Sequence, residues 1–189
     1  ERLMREVKNY RELEADLSIQ QQFVDILIIK KQLKQQLKEI ADGLDNLSDY
    51  NIMSYKSHQE TLDEWTVEEL ISHYVSYRKM ISPSTRKLLD SERFCLYAVS
   101  ARYPQKLFSK VTFKCLLDGI YEIKPLSKSI RIIVTGSVAE KPENAIWSLF
   151  SAKQDKVEYG SKNYHWKKTN LSAIRNQLYE KYQLEGIIM

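Results

Sequence analysis

A chain of 189 residues with 43% hydrophobic content can bury one sizeable core and is short for two, so a single domain over residues 1–189 is expected. No run approaches the roughly 20 apolar residues that cross a bilayer, and Glu1, Arg2, Arg5 and Glu6 at the start are unlike a secretory leader, so the expectation is a cytoplasmic protein without a membrane partner. A net charge of +4 with a pI near 8.9 is mild for a dedicated nucleic-acid binder; it permits such a partner without requiring one.

In chain order, Leu3, Val7, Tyr10, Leu13 and Leu17 fall near a helical repeat, while Arg5-Glu6-Val7-Lys8-Asn9-Tyr10 also alternates like an edge strand; periodicity leaves both open. Residues 23–30 carry Ile26, Leu27, Ile28 and Ile29 after Asp25, a β-branched run that reads as a buried strand. Residues 32–41 place Leu33, Leu37 and Ile40 at helical spacing, with Gly43 positioned to end the helix. A strand is expected over residues 51–56 and a polar connection over 57–61. Thr66 and Glu69 then have the spacing of a capping box. Leu70, Ile71, Tyr74, Val75 and Tyr77 continue the helix as an amphipathic stripe that Ile81-Ser82-Pro83 ends.

Further strands are expected over residues 94–100, 119–124 and 130–135, the last two as antiparallel neighbours. Pro142, Glu143 and Asn144 open a helix with Ala145, Ile146, Leu149 and Phe150 as its apolar face. A final helix over residues 171–184 turns Ile174, Leu178, Tyr179 and Tyr182 inward. Helices and strands alternate, so the expected fold is α/β, a mixed central β-sheet flanked by helices. Cys95 and Cys115 stand in apolar contexts, FCLYAV and FKCLLD, and read as buried free thiols. His58, His73 and His165 are too scattered for a zinc site. None of the five glycines falls in a phosphate-binding loop pattern, and no GxSxG or Cys/His arrangement supports a covalent hydrolase.

Two features carry potential chemistry. Asp25 is an acid inside an apolar strand, costly to bury unless it lies at the rim or uses its charge, and Lys56 ends the next strand. Side by side at one rim, they can hold a divalent metal and position a water against a phosphodiester; equally, Asp25 can be an edge charge or a structural partner of Lys56. The other feature is basic: Lys30, Lys31, Lys34 and Lys38, then Lys153, Lys156, Lys162, Lys167 and Lys168, interleaved in the second case with Tyr159, Tyr164, His165 and Trp166. Within it, Lys162, Tyr164, His165, Trp166, Lys167 and Lys168 combine cations with rings that can stack on bases; the competing reading is a solvated charged face. His73 and Tyr77 either flank a site or pack at the sheet surface, and Trp65, Trp147 and Trp166 are read as core or half-buried anchors.

The order VDILIIKK, then NIMSYKSHQETLDEWTVEELISHYVSYRK, resembles the core of the PD-(D/E)XK, or restriction-endonuclease-like, nuclease superfamily, nearest its bacterial mobile-element-associated members. The resemblance covers residues 5–80, and RFCLYAVSARYPQKL and NAIWSLFSAKQDKVEYG are similar to the same proteins without assignable chemistry. It implies a restriction-endonuclease-like fold, with Asp25 as a Mg²⁺ ligand and Lys56 beside the attacking water. Ser54 stands where the superfamily has its second acid, and a hydroxyl brings no charge to offset the ion. Glu60, Glu64, Glu68 and Glu69 are substitute carboxylates by position, the last two with the competing task of complementing a helix dipole. Glu12 and Glu14 are more distant candidates. The superfamily helix that usually adds an acid is expected before Glu1. The resemblance thus implies a Mg²⁺-dependent nuclease cleaving DNA phosphodiesters, degenerate at Ser54; the alternative is an inactive domain of the same fold serving as a protein or nucleic-acid scaffold.

Overall fold

The computed structural model describes residues 5–7, 10–12, 26–31 and 40–164. Eight strands form one sheet: β1 (Arg5–Val7), β2 (Tyr10–Glu12), β3 (Ile26–Lys31), β4 (Tyr50–Lys56), β5 (Phe94–Ser100), β6 (Phe113–Leu117), β7 (Ile120–Ile123) and β8 (Ile130–Val134). Their order is β1-β2-β3-β4-β5-β8-β7-β6. The helices are α1 (Glu64–Ile81), α2 (Gln105–Phe108), α3 (Ala145–Leu149) and α4 (Gln154–Asn163). At the centre β4, β5 and β8 run parallel, while β3 joins β4 and β7 joins β8 antiparallel. The mixed sheet with flanking helices agrees with the sequence expectation, including the antiparallel neighbours β7 and β8. At the amino end the ambiguity resolves as strand, since β1 and β2 pair antiparallel.

The central strands are apolar on both faces because both faces are covered. On one side Ile52, Leu96, Ala98, Ile130, Ile132 and Val134 meet Val67, Leu70, Tyr74 and Tyr77 of α1 and Leu107 and Phe108 of α2. On the other, Met53, Tyr97, Val99 and Ile133 meet Ala41, Val138 and Trp147. The period of two along each strand sorts its residues between the layers. The polypeptide returns from β4 to its parallel neighbour β5 through α1, the crossover that parallel pairing needs.

Several local expectations require correction. The N-cap of α1 is Asp63, whose carboxylate accepts from the Thr66 amide and from the Thr66 hydroxyl; an ionised acid facing the helix start displaces the Thr66/Glu69 box. Val75 and Trp65 are exposed because each lies roughly 140° around the helix from Leu70 at 3.6 residues per turn. In α3 the inward residues are Ala145, Trp147 and Ser148, rather than a face built on Leu149 and Phe150. The thiols are free, with Cys95 half-buried and Cys115 exposed, since Cys115 lies on β6 at the end of the sheet. Gly43 has φ of +88°, in a turn where a Cβ would crowd Ile120 and Ile133; the helix expected to precede it lies largely outside the described residues. The helix at 171–184 and Trp166 are also outside them. Strand β6 and helix α4 were not anticipated.

Replacing Asp63 by alanine removes the cap and should lower unfolding free energy by about 1 kcal/mol, measured as a shift in urea midpoint with unchanged cooperativity. His73, half-buried in α1, is held below its ordinary value by burial, which outweighs the opposing pull of Glu69. Folding therefore favours the neutral ring, and the stability His73 contributes is lost as pH falls through and below the ordinary imidazole value of about 6.5. The midpoint difference between wild type and His73→Gln should change between neutral and mildly acidic pH; a constant difference would dissociate His73 from that acid sensitivity.

Candidate functional site at the carboxyl rim of the central strands

Strand β4 delivers Lys56 to the carboxyl edge of the sheet, in register with Ser100 at the end of β5. The Lys56 carbonyl accepts from the Ala101 amide at 3.2 Å, which ties the two strand ends together. The Lys56 side chain is 17% exposed, and its Nζ lies 3.8 Å from Glu60 Oε1. Glu60 in turn accepts from the Ser57 amide at 3.0 Å through its other oxygen. Partial burial pushes the Glu60 carboxyl up, but the Ser57 hydrogen bonds and the Lys56 charge together bring it below its ordinary value. The pair is an anion and a cation held together at the rim by the turn that follows β4.

Ser54, two residues earlier, shares by alternation the face of β4 that carries Ile52 and is 5% exposed. It pairs across the ladders with Ile26 of β3 and Ala98 of β5. The described ladder of β3 begins at Ile26; Asp25 lies outside the described residues, as do Glu14, Lys34 and Lys38. Among the candidate carboxylates, Glu60 is brought to Lys56, Glu64 is taken by Lys110 at 2.5 Å, Glu68 is exposed on α1 and Glu69 half-buried there. Among the described residues no three His, Cys, Asp or Glu side chains are grouped to hold a metal ion. The donors described at this rim do not fit Mg²⁺: the Ser54 hydroxyl is buried and brings no charge to offset the ion, and the Glu60 carboxylate is already engaged with Ser57 and Lys56.

The basic aromatic segment is only partly within the described residues. Lys162 is exposed and pairs with Glu158 at 2.5 Å, one turn earlier on α4. Tyr164 is half-buried, and burial pushes its hydroxyl above the ordinary phenol value. His165, Trp166, Lys167 and Lys168 lie outside. Two lysines of the same cluster turn into the fold: Lys153 donates to the Gly136 carbonyl at 2.7 Å and Lys156 to that of Val138.

Sequence reasoning missed a second feature of the rim. Where α1 begins and α2 follows β5, an open pocket of about 330 Å³ is lined by Asp63, Glu64, Trp65, Lys106, Ser109 and Lys110. Trp65 is 66% exposed there. Its helical phase, opposite Leu70, was the available signal. No protein-family model, curated protein or solved structure matches the chain.

Because the Lys56–Glu60 contact is long and Glu60 is exposed, Glu60→Gln should cost less than about 1 kcal/mol. Lys56, mostly buried at the strand end, should cost more when cut to alanine, because its methylene stem loses packing along with the charge. Thermal melts of the two variants check this ordering.

Proposed function

We propose that this chain is a restriction-endonuclease-like domain that binds nucleic acid at the carboxyl rim of β4 and β5 without cutting it. The single observation that carries the absence of cutting is Ser54, buried at 5% exposure two residues before Lys56. Metal-assisted displacement at a phosphodiester needs anionic ligands that place the cation against the phosphate oxygens, and a sheltered hydroxyl supplies none. The mixed sheet supports the fold assignment: the strand preceding Lys56's own is its antiparallel neighbour, and a long helix follows. Lys56, and past β5 Arg102 and Lys106, supply the cations that phosphate binding requires.

One observation favours a second reading, in which the domain cleaves DNA. Glu60 lies beside Lys56, so a carboxylate has been brought to the lysine from the turn instead of from position 54; with Asp25 it would supply two of the acids such a site uses.

Incubation of purified protein with supercoiled plasmid and with single-stranded DNA, in Mg²⁺ or Mn²⁺, separates the two. The expected result is no nicking above the buffer control, together with binding that weakens linearly in log Kd against log salt. Metal-dependent nicking that disappears in both Asp25→Asn and Glu60→Gln would replace the binding domain with a nuclease. Absence of both nicking and binding would defeat both readings.

A further inference from the structure

We infer that Trp65 and Lys106 form a stacking platform for single-stranded nucleic acid, with the indole receiving a base and the ammonium group a neighbouring phosphate. This rests on the nucleic-acid reading above and goes beyond it by assigning the contact and the strand form to residues outside the Lys56 site. Trp65 occupies the first turn of α1 on the side away from the core, 66% exposed, and among the described residues no other aromatic ring is stacked on it. An indole left this open loses the burial that ordinarily keeps tryptophan in a fold.

Its surroundings identify the class of partner. Apart from Trp65, the pocket is lined by charged or hydroxyl residues, so no second ring or aliphatic residue stands against the indole to close round the anchor of a hydrophobic peptide. The two acids are already engaged: Asp63 caps α1 through the Thr66 amide, and Glu64 holds Lys110 at 2.5 Å. Lys106, in contrast, has no ion-pair partner among the described residues, and Arg102 nearby in sequence is exposed. A flat π-face with an uncommitted ammonium group across a shallow pocket matches one base and its phosphate. A base paired within a duplex has its faces covered by its neighbours, so an indole platform selects unpaired strands.

The test uses the whole chain and fluorescein-labelled oligo(dT), with a duplex of the same length for comparison. The expected result is tighter binding of the single strand, quenching of tryptophan emission on binding, and loss of most of that quenching in Trp65→Ala. Affinity should fall by about fivefold or more in Trp65→Ala and recover in Trp65→Phe. Lys106→Gln should flatten the log–log salt dependence by about 0.7. Circular dichroism melts should leave all three variants folded, because both side chains are at the surface. If wild type binds but Trp65→Ala and Lys106→Gln bind equally well, the platform is refuted while the nucleic-acid reading stands. If wild type binds neither single strand nor duplex, both fall together.

Discussion

Burial of β4, β5 and β8 on both faces is the constraint from which the rest of the molecule follows. A strand covered on both sides cannot carry an uncompensated charge along its length, because desolvation costs more than an isolated group recovers. Polar residues inside the trio are therefore matched. Asn51 donates to the Ile29 and Ser48 carbonyls, and Thr135 donates to the Phe150 carbonyl at 2.9 Å. Arg131 reaches the Asp45 carboxylate at 2.6 Å; its Nε remains the one buried side-chain atom without a partner among the described residues. Charge is displaced to the strand ends, and on β4 it stands at Lys56, the strand's last residue. The same constraint bears on Ser54: a carboxylate there would need a cation close by, whereas a hydroxyl is tolerated without one.

The layer opposite α1 is built differently and depends on side chains clamping a loop. Residues 40–49 lie over the sheet, and their backbone groups need partners that a helix would have supplied internally. Asn144 provides one, accepting from the Asp42 amide at 2.8 Å, and also holds the same residue by donating to its carboxylate at 2.7 Å. The Trp147 indole donates to the Asp42 carbonyl at 2.9 Å while its ring fills the second core at 5% exposure. Tyr97 donates to the Asn46 side chain at 2.8 Å and Arg131 to the Gly43 carbonyl. The NAIW segment thus acts through position 42, about a hundred residues away in sequence, and a wide separation of that kind leaves no local signature.

Legibility in the sequence tracks how far each element's own burial determines it. Strand β5 is apolar from Phe94 to Val99 and was expected with its observed bounds, as two-sided burial writes a continuous signal. Strand β6, Phe113–Leu117, was missed because it is an edge strand with four of its five residues exposed, and an edge leaves little alternation to read. Helix α4 was missed for a related reason: of its ten residues only Val157 and Gly160 are buried, and its attachment runs through lysines that cap carbonyls, a use indistinguishable in sequence from a solvated basic face. At α1 the stripe was legible but the start was not, because Asp63 and Thr66 both have capping side chains and only the tertiary path of residues 57–63 decides between them. Trp65 was misassigned by residue type when its helical phase already pointed outward. For the Lys56 site, strand and lysine were readable; the partner Glu60 depended on a turn that composition does not specify.

These placements redistribute the chain's modest positive charge. Lys153 and Lys156 are committed to carbonyls of the segment after β8, and Lys162 is matched by Glu158, so the described part of the most basic stretch contributes less to an external field than its composition suggests. Lys56 is shared with Glu60 at 3.8 Å, close enough to orient the ammonium group without a short contact. Lys106, in the helix that follows β5, has no carboxylate partner among the described residues. Its charge faces solvent past the end of β5, beside the open indole of Trp65. The fold thereby sets the half-buried Lys56 at the end of β4 and the exposed Trp65 in the first turn of the helix that follows, at the same rim of the sheet.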